Sequence, residues 1–224
     1  MEKLNRLERL AQELERAVGG EIGEEVMGDW QGLTSGSSPG RKSKWVLEMM
    51  ERMSARLDEE TQIEVLRGCS CSYRKDVIAD YRLLFEQTHS IDLLLETMRE
   101  NTRTMIDRKL DASLQEQVKY HPFYHSPIRD GFIVRFYAFP YHIVEYLREM
   151  DPVKRRKHAC HCGWISASKE NVPLTYCACG TGFYKQLWEG ILGQEIEVRV
   201  VQSVMHGDER CQFDVVLPDW AVQH

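Results

Sequence analysis

The apolar positions in the first half of the chain repeat with the period of an α-helix. Over residues 1–17 they form one stripe, with glutamate and arginine elsewhere, which predicts an amphipathic helix that docks on the rest of the protein. The stripe consists of Leu4, Leu7, Leu10, Leu14 and Ala17. Gly19 and Gly20 are expected to end this helix because glycine is a frequent helix terminator.

Further helical patterns follow a loop. Residues 32–40 are rich in glycine, serine and proline, which oppose regular structure. A helix is predicted over residues 42–58, and Asp58 is expected to cap a second helix that Gly68 ends. Two more helical patterns lie on either side of Ser90, a predicted N-cap. The first half is therefore predicted to be mostly α-helical.

The pattern changes near residue 120 of the chain. Residues 132–139 form an aromatic and β-branched run that predicts a strand, and residues 141–150 predict a short helix. The basic run at residues 154–157 is interpreted as a solvated surface turn, with anion binding as the alternative.

The C-terminal pattern predicts a helix followed by a β-hairpin. A helical stripe over residues 184–192 is expected to end at Gly193. Residues 195–203 and 211–217 then alternate apolar and polar side chains, with a His-Gly-Asp turn between them. Cys211 is expected on the apolar face of the second strand.

These elements predict an α+β fold, with a helical N-terminal half followed by an antiparallel sheet with packed helices. Residues 1–40 are assigned to an N-terminal helix and linker, 41–120 to a helical region, and 121–224 to a cysteine-rich ligand- and metal-binding region. In an alternative division, residues 41–224 form one domain. A chain of 224 residues is long enough to bury such a core without disulfides.

The net charge of the chain indicates which kinds of binding partner to expect. The chain has 29 lysines and arginines against 35 acidic residues, a formal net charge of −6, so a basic nucleic-acid-binding face is not expected. No apolar run approaches the ~20 residues that span a bilayer, and the N-terminus leads into a charged helix rather than a secretory signal. We therefore expect a cytoplasmic protein that binds neither nucleic acid nor membrane.

Three Cys-x-Cys pairs carry the most distinctive chemistry. In a reducing compartment such clusters hold metal or perform redox chemistry more often than they form structural disulfides. The insert between the second and third pairs is long enough to bring both to one point, which predicts a thiolate site for zinc. The predicted ligands are drawn from Cys160, Cys162, Cys177, Cys179 and Cys211, with Cys69, Cys71 and His161 as additional candidates.

Other interpretations of the cysteines stay open. Buried cysteines can pack as small hydrophobic side chains, and paired thiols can act as a redox-active dithiol. The same pairs could also hold iron–sulfur or another metal instead of zinc.

None of the common catalytic motifs is present, whether a Walker loop, Gly-x-Gly-x-x-Gly, Gly-x-Ser-x-Gly or His-Glu-x-x-His. The Gly-Thr-Gly at residues 180–182 is interpreted as a tight turn into a helix, with anion binding as the weaker alternative. A metal-assisted hydrolase needs a base near its metal. The candidates for that base are Glu170, Glu189, Glu195 and His206.

Two C-terminal segments carry a resemblance to a known family. Residues 176–184 (YCACGTGFY) and 203–213 (SVMHGDERCQF) resemble the C-terminal part of the 4-vinyl reductase domain family. They are also similar to bacterial relatives grouped with L-2-amino-thiazoline-4-carboxylate hydrolases, several of them uncharacterised. The resemblance covers about residues 130–217, and its sharpest element is Gly-Asp-x-x-Cys-x-Phe at 207–213.

The resemblance implies a ligand-binding α+β fold with an antiparallel sheet and helices around an apolar pocket. Members sense small hydrophobic molecules, and some hold zinc through cysteines. In those members a cysteine commonly precedes the glycine of the hairpin turn, where this chain has Ser203. The metal set implied here is therefore built from the second and third cysteine pairs with Cys211.

Two functional hypotheses follow. The first is a sensory or accessory protein that binds a small molecule, carries a cysteine-based zinc site and dimerises through its N-terminal helices. Its predicted pocket, for which core packing is the alternative, is lined by Phe132, Phe136, Tyr184, Trp188, Ile196 and Val198. The second is an enzyme for a small organic substrate, either a metal-dependent hydrolase or a thiol-dependent reductase.

Overall fold

The computed structural model describes residues 5–222, which form ten α-helices and a four-stranded antiparallel sheet. The first seven helices are α1 (Arg6–Val18), α2 (Gly20–Met27), α3 (Pro39–Arg56), α4 (Glu59–Gly68), α5 (Lys75–Thr88), α6 (Ile91–Asp107) and α7 (Ala112–Val118). The later helices are α8 (Ile143–Arg148), α9 (Pro152–Ala159) and α10 (Cys179–Leu192). The strands are β1 (Ile128–Asp130), β2 (Ile133–Tyr137), β3 (Glu197–Gln202) and β4 (Gln212–Val216). The predicted α+β class is confirmed.

Helix α1 begins at a capping box. The Asn5 side chain accepts hydrogen bonds from the first turn, and the Glu8 carboxylate accepts one from the Asn5 backbone N–H. These bonds satisfy N–H groups that a helix start leaves unpaired. Leu7, Leu10 and Leu14 of the predicted stripe are buried against α2 and α4. Leu4 lies outside the described residues.

Several predicted helix ends are confirmed. Asp58 caps α4 by accepting a 2.8 Å hydrogen bond from the Thr61 backbone, and Ser90 caps α6. Gly193 ends α10 in the left-handed conformation at φ 70°. These positions were predictable because capping depends on side-chain chemistry within a few residues.

The sheet has the strand order β1-β2-β4-β3, with every neighbouring pair antiparallel. Val215 in the central strand β4 pairs with Val134 on one side and Val198 on the other. All three valines are buried. The predicted pairing of the two C-terminal strands is confirmed, and β2 lies beside them.

The buried apolar residues form three clusters. An N-terminal core joins α1 to α4 with the cysteine-containing loops. A sheet core joins α5, α6 and α10 to the sheet and centres on the fully buried Trp188. The third cluster lies between α6, α7 and α8.

The basic run at residues 154–157 is part of helix α9, so its interpretation as a turn was wrong. Asp151 caps this helix by accepting hydrogen bonds from two backbone N–H groups, and Pro152 occupies the first turn, where proline is favoured. A capping aspartate before proline thus begins a new helix here.

Two other boundaries differ from the prediction. Helix α3 begins at Pro39, inside the predicted loop of residues 32–40, because Ser38 caps it. Helix α10 begins at Cys179, five residues before Tyr184, so the Gly-Thr-Gly segment lies in its first turn. Among residues 5–222 no helix is both long enough and apolar enough to cross a membrane.

Candidate functional site

Six of the seven cysteines gather at the N-terminal core. Cys69 and Cys160 are buried within it, and four partly buried cysteines pack against it, namely Cys162, Cys177, Cys179 and Cys211. Cys71 is exposed. The fold therefore brings together thiols that lie far apart in the sequence.

The side chain of Arg6 joins two of these thiols. Its Nη1 lies 3.2 Å from the sulfur of Cys162, and its Nη2 lies 3.7 Å from the sulfur of Cys179. The Cys162 sulfur also lies 3.3 Å from the hydroxyl of Tyr176. A guanidinium donates hydrogen bonds and carries a permanent positive charge, so it stabilises a thiolate over a thiol.

Local structure fixes each member of this group, called here the Arg6 thiol site and comprising Arg6, Cys162, Cys179 and Tyr176. Arg6 is the first residue of α1, whose start is held by the Asn5 capping box and the buried leucines. Cys162 begins a turn whose Ile165 and Ser166 N–H groups bond to its carbonyl. Tyr176 lies in a 3-10 turn, Leu174–Ala178, that leads directly into α10 at Cys179.

The pKa values of the two thiols of this site shift in opposite directions. Burial raises the pKa of Cys162, but Arg6, the Tyr176 hydroxyl and two backbone N–H groups together lower that pKa below its usual value. Burial raises the pKa of Cys179, and the neighbouring Cys162 charge raises it further against the opposing effect of Arg6. Cys162 is therefore the more acidic thiol of the pair, because Arg6 and the Tyr176 hydroxyl favour its ionised form.

Three of the cysteines outside the Arg6 thiol site, Cys69, Cys160 and Cys177, have neutral hydrogen-bond partners. The Cys177 sulfur lies 2.9 Å from the hydroxyl of Ser203, and Cys160 accepts a 3.4 Å hydrogen bond from the backbone of Cys162. Cys69 donates to the Leu66 carbonyl at 3.2 Å. Burial raises the pKa of Cys69 to about 12, so this thiol is neutral near pH 7.

The candidate ligand His161 contacts the backbone and aromatic rings of neighbouring residues. A nitrogen of its ring lies 2.6 Å from the Phe139 carbonyl, and the ring contacts those of Phe139 and Tyr141 edge to face. Burial lowers the pKa of His161. These contacts place the histidine in aromatic packing beside the cluster.

Five of the six predicted pocket residues belong to the sheet core. Phe136, Trp188, Ile196 and Val198 are buried there, and Tyr184 packs against them with its ring centroid 4.6 Å from that of Phe136. Phe132 is 47% exposed and lies outside the sheet core. Val198 also lines an open cleft at the surface.

An open cleft of about 1000 Å³ lies between α4, α10 and β3. Lys185 in its wall forms 3.0 Å ion pairs with Glu189 and Glu195, two of the candidate bases. The Nδ1 atom of His206, a third candidate base, lies 2.9 Å from the Val172 carbonyl oxygen. The fourth candidate, Glu170, contacts the Ser168 hydroxyl through its backbone N–H and carbonyl. None of these ion pairs and hydrogen bonds joins a candidate base to a cysteine.

The predicted zinc ligands can be compared with this geometry. Among residues 5–222, no three histidine, cysteine or acidic side chains lie close enough together to hold a metal ion. The Arg6 guanidinium stands between two of the thiols, and its positive charge opposes a second cation there. In this arrangement the residues do not fit a tetrahedral thiolate site, and zinc stays a prediction of the cysteine pattern.

Sequence reasoning missed two members of the Arg6 thiol site. Arg6 lies 156 residues before Cys162 in the chain, and on an amphipathic helix an arginine off the apolar stripe reads as a solvated side chain. Tyr176 stands in the segment of the family resemblance but carried no assigned role. No local pattern links either residue to a thiol, so only the tertiary contacts identify them.

The chain was compared with protein-family models, with characterised proteins and with solved structures, and none of the three comparisons gave a match.

Proposed function

We propose that this protein is a thiol-dependent reductase of a small organic substrate, with Cys162 as the attacking thiolate and Cys179 as the second thiol. The observation that carries the proposal is the contact of one guanidinium with both sulfurs, with the Tyr176 hydroxyl completing the surroundings of Cys162. Such electropositive surroundings are typical of reactive cysteines, whereas purely structural cysteines lie in apolar ones.

The proposed chemistry is thiol–disulfide exchange with an organic disulfide, R–S–S–R′. The Cys162 thiolate attacks one sulfur, which breaks the S–S bond, releases R′S⁻ and leaves a mixed disulfide on Cys162. Cys179 then loses its proton and attacks the Cys162 sulfur, which releases RS⁻ and forms a Cys162–Cys179 disulfide. The substrate gains the two electrons that the cysteine pair loses.

The asymmetry between the thiols suits this order of events. An attacking thiol has to be ionised at working pH, and the Cys162 pKa is the lowered one. Cys179 is held on the same guanidinium, so it lies near the sulfur that it has to attack. Arg6 has to withdraw when the sulfur–sulfur bond forms.

The first test measures how Arg6 affects the reactivity of Cys162. In Arg6→Met the pKa of Cys162 is expected to rise, so alkylation of Cys162 by iodoacetamide at pH 7 should slow by about tenfold. Peptide mass spectrometry measures the rate of this alkylation. Arg6→Lys keeps a positive charge and should retain most of the rate. Arg16→Met is the matched control, because Arg16 lies in the same helix and pairs with Glu13 and Glu64 instead.

The second test traps the intermediate with bis(2-hydroxyethyl) disulfide. Cys179→Ser should accumulate the mixed disulfide on Cys162, Cys162→Ser should form none at either site, and wild type should form the internal disulfide. Cys71→Ser removes the exposed thiol and should behave as wild type. Equal labelling of all cysteines, or a trapped adduct elsewhere, would refute the assigned roles.

A cysteine-bound zinc site is the second candidate function, and the gathering of six thiols on one core favours it. Such a site would need Arg6 to leave the sulfurs. Metal content by plasma mass spectrometry, on protein purified under reducing conditions, decides between the two. About one zinc per chain in wild type, lost in a Cys177→Ser/Cys179→Ser variant, would favour the metal site over the reductase.

A further inference from the structure

A second cleft has a volume of about 520 Å³ and shares no lining residue with the first. Its walls come from the 3-10 turn Pro122–His125, the end of β2, helices α8 and α9, and the turn between β3 and β4. This volume is in the range of small-molecule sites. We call it the arginine cleft, because Arg155, Arg156 and Arg210 line it.

Two of these arginines have no acidic partner. Neither Arg155 nor Arg156 forms an ion pair with a carboxylate within residues 5–222. Arg155 is oriented by two hydrogen bonds, of 2.8 and 2.7 Å, from its Nε and Nη2 to the Glu149 carbonyl. Arg156 donates from Nη1 to the side-chain oxygen of Asn171 at 2.9 Å. Both guanidinium groups therefore bring positive charge to the cleft.

The two acidic residues of the cleft are already engaged. The Asp208 carboxylate accepts a 2.8 Å hydrogen bond from the Ser203 backbone, within the hairpin turn. Glu209 pairs with Arg210 at 3.1 Å and its side chain is 89% exposed. Glu209 offsets the charge of Arg210, and Asp208 counts as a second negative charge. The three arginines and two carboxylates of the lining therefore carry a formal charge of +1, and Arg155 and Arg156 form none of the ion pairs within residues 5–222.

Aromatic rings form the other walls. The guanidinium of Arg155 lies 5.7 Å from the ring centroid of Tyr146, and that of Arg210 lies 5.6 Å from the ring centroid of Tyr137. His121 stacks on Phe123 with centroids 5.1 Å apart and planes 20° apart. Burial, and then the charges of Arg155 and Arg210, lower the pKa of His121, so the histidine adds a neutral flat surface near pH 7.

We propose that the arginine cleft binds a small aromatic molecule with a dianionic headgroup, held by Arg155 and Arg156 and stacked against Tyr137 and Tyr146. Neither Arg155 nor Arg156 pairs with a carboxylate within residues 5–222, so each can face one charge of a dianion, and each guanidinium offers the paired N–H donors that recognise phosphate and carboxylate oxygens. The flat walls accept a ring, because aromatic pairs gain from stacked or edge-to-face contact. The proposal does not rest on the thiol chemistry.

The cleft also adjoins the cysteine cluster. Ala138, which lines the cleft, donates a 3.0 Å backbone hydrogen bond to the Cys211 carbonyl. The hairpin turn that lines the cleft also bonds the Ser203 backbone through Asp208, and the Ser203 hydroxyl lies 2.9 Å from the Cys177 sulfur. The basic run of helix α9 accordingly contributes to an anion site rather than only to a solvated surface.

Calorimetric titration of the full-length protein tests the proposal. Phenyl phosphate and phthalate are the two dianionic aromatic probes, and the tighter of them identifies the headgroup as phosphate or dicarboxylate. Benzoate, with one charge, and inorganic phosphate, without a ring, should each bind at least about tenfold more weakly than the better probe. Failure of both aromatic dianions to bind, or equal affinity for inorganic phosphate, would overturn the proposal.

Variants separate the two parts of the site. Arg156→Gln should weaken the better probe by about tenfold or more, because it removes a charged donor. Tyr137→Leu should weaken the aromatic probes without changing the affinity for inorganic phosphate. Arg82→Gln is the control, since Arg82 is exposed on α5 and pairs with Glu86. Unchanged binding in Arg156→Gln, with folding verified by circular dichroism, contradicts the assignment, and this outcome is independent of cysteine reactivity.

Discussion

Gly182 lies where α10 passes closest to the end of α4. A methyl group at this position would meet the carbonyl oxygen of Arg67 and lie 2.8 Å from the Cβ of Ser70. Gly182→Ala should therefore lower the free energy of unfolding by about 1–3 kcal/mol through overpacking, although alanine favours helix by about 1 kcal/mol. Urea denaturation followed by circular dichroism measures the change.

The matched control for this substitution is Gly20→Ala, at the start of α2. Nothing lies within 4 Å of a Cβ built there, so the helix preference of alanine should leave stability unchanged or slightly higher. If both variants were equally stable, the close approach of α10 to α4 would not be the reason for glycine at position 182.

At the level of single elements, the start of α4 depends on the charge of Asp58. The hydrogen bonds from the backbone and then the side chain of Thr61 hold the pKa of this carboxyl below its ordinary value of 3.8. A lowered folded-state pKa contributes stability above the unfolded pKa, and that contribution disappears as pH falls through the lowered value. The helix cap should therefore weaken only in acid.

The measurement compares thermal midpoints of wild type and Asp58→Asn between pH 7 and pH 2. Asparagine also caps helices but does not titrate, so any advantage of the wild type at pH 7 should vanish below the lowered pKa. A difference between the two proteins that stays constant with pH would show that the Asp58 charge does not stabilise α4.

At the scale of the whole molecule, helix α10 connects the N-terminal core to the sheet core. It contacts α4 of the N-terminal core and also α5, β3 and β4 around the sheet core. Cys211 packs against both of these clusters. The shared elements predict that the two cores unfold together, because losing either removes buried contacts of the other.

Urea unfolding monitored by two probes tests this coupling. Far-ultraviolet circular dichroism reports mainly the helices. Tryptophan fluorescence reports all five tryptophans, which include Trp45 in the N-terminal core and Trp188 in the sheet core. The two curves should share one midpoint. Two separated transitions would mean that the cores are independent folding units.

The sequence by itself determined the elements whose signals are local. The leucine stripe of α1, the caps at Asp58 and Ser90 and the alternating C-terminal strands depend on neighbours a few residues away, and all are present in the structure. It also indicated that the cysteine pairs come together, because their inserts allow it. The start of α9 was missed although its capping signal is equally local.

Only the tertiary structure decided which groups surround the thiols and which cavities are open. Arg6 contacts Cys162 and Cys179 because helix α1 packs on α4. The two cysteines lie 156 and 173 positions after Arg6 in the chain. The arginine cleft likewise needs five separate segments to converge. Such placements follow from the packing of whole elements, and a pattern of hydrophobic and polar residues specifies which face is buried, not which distant side chain meets it.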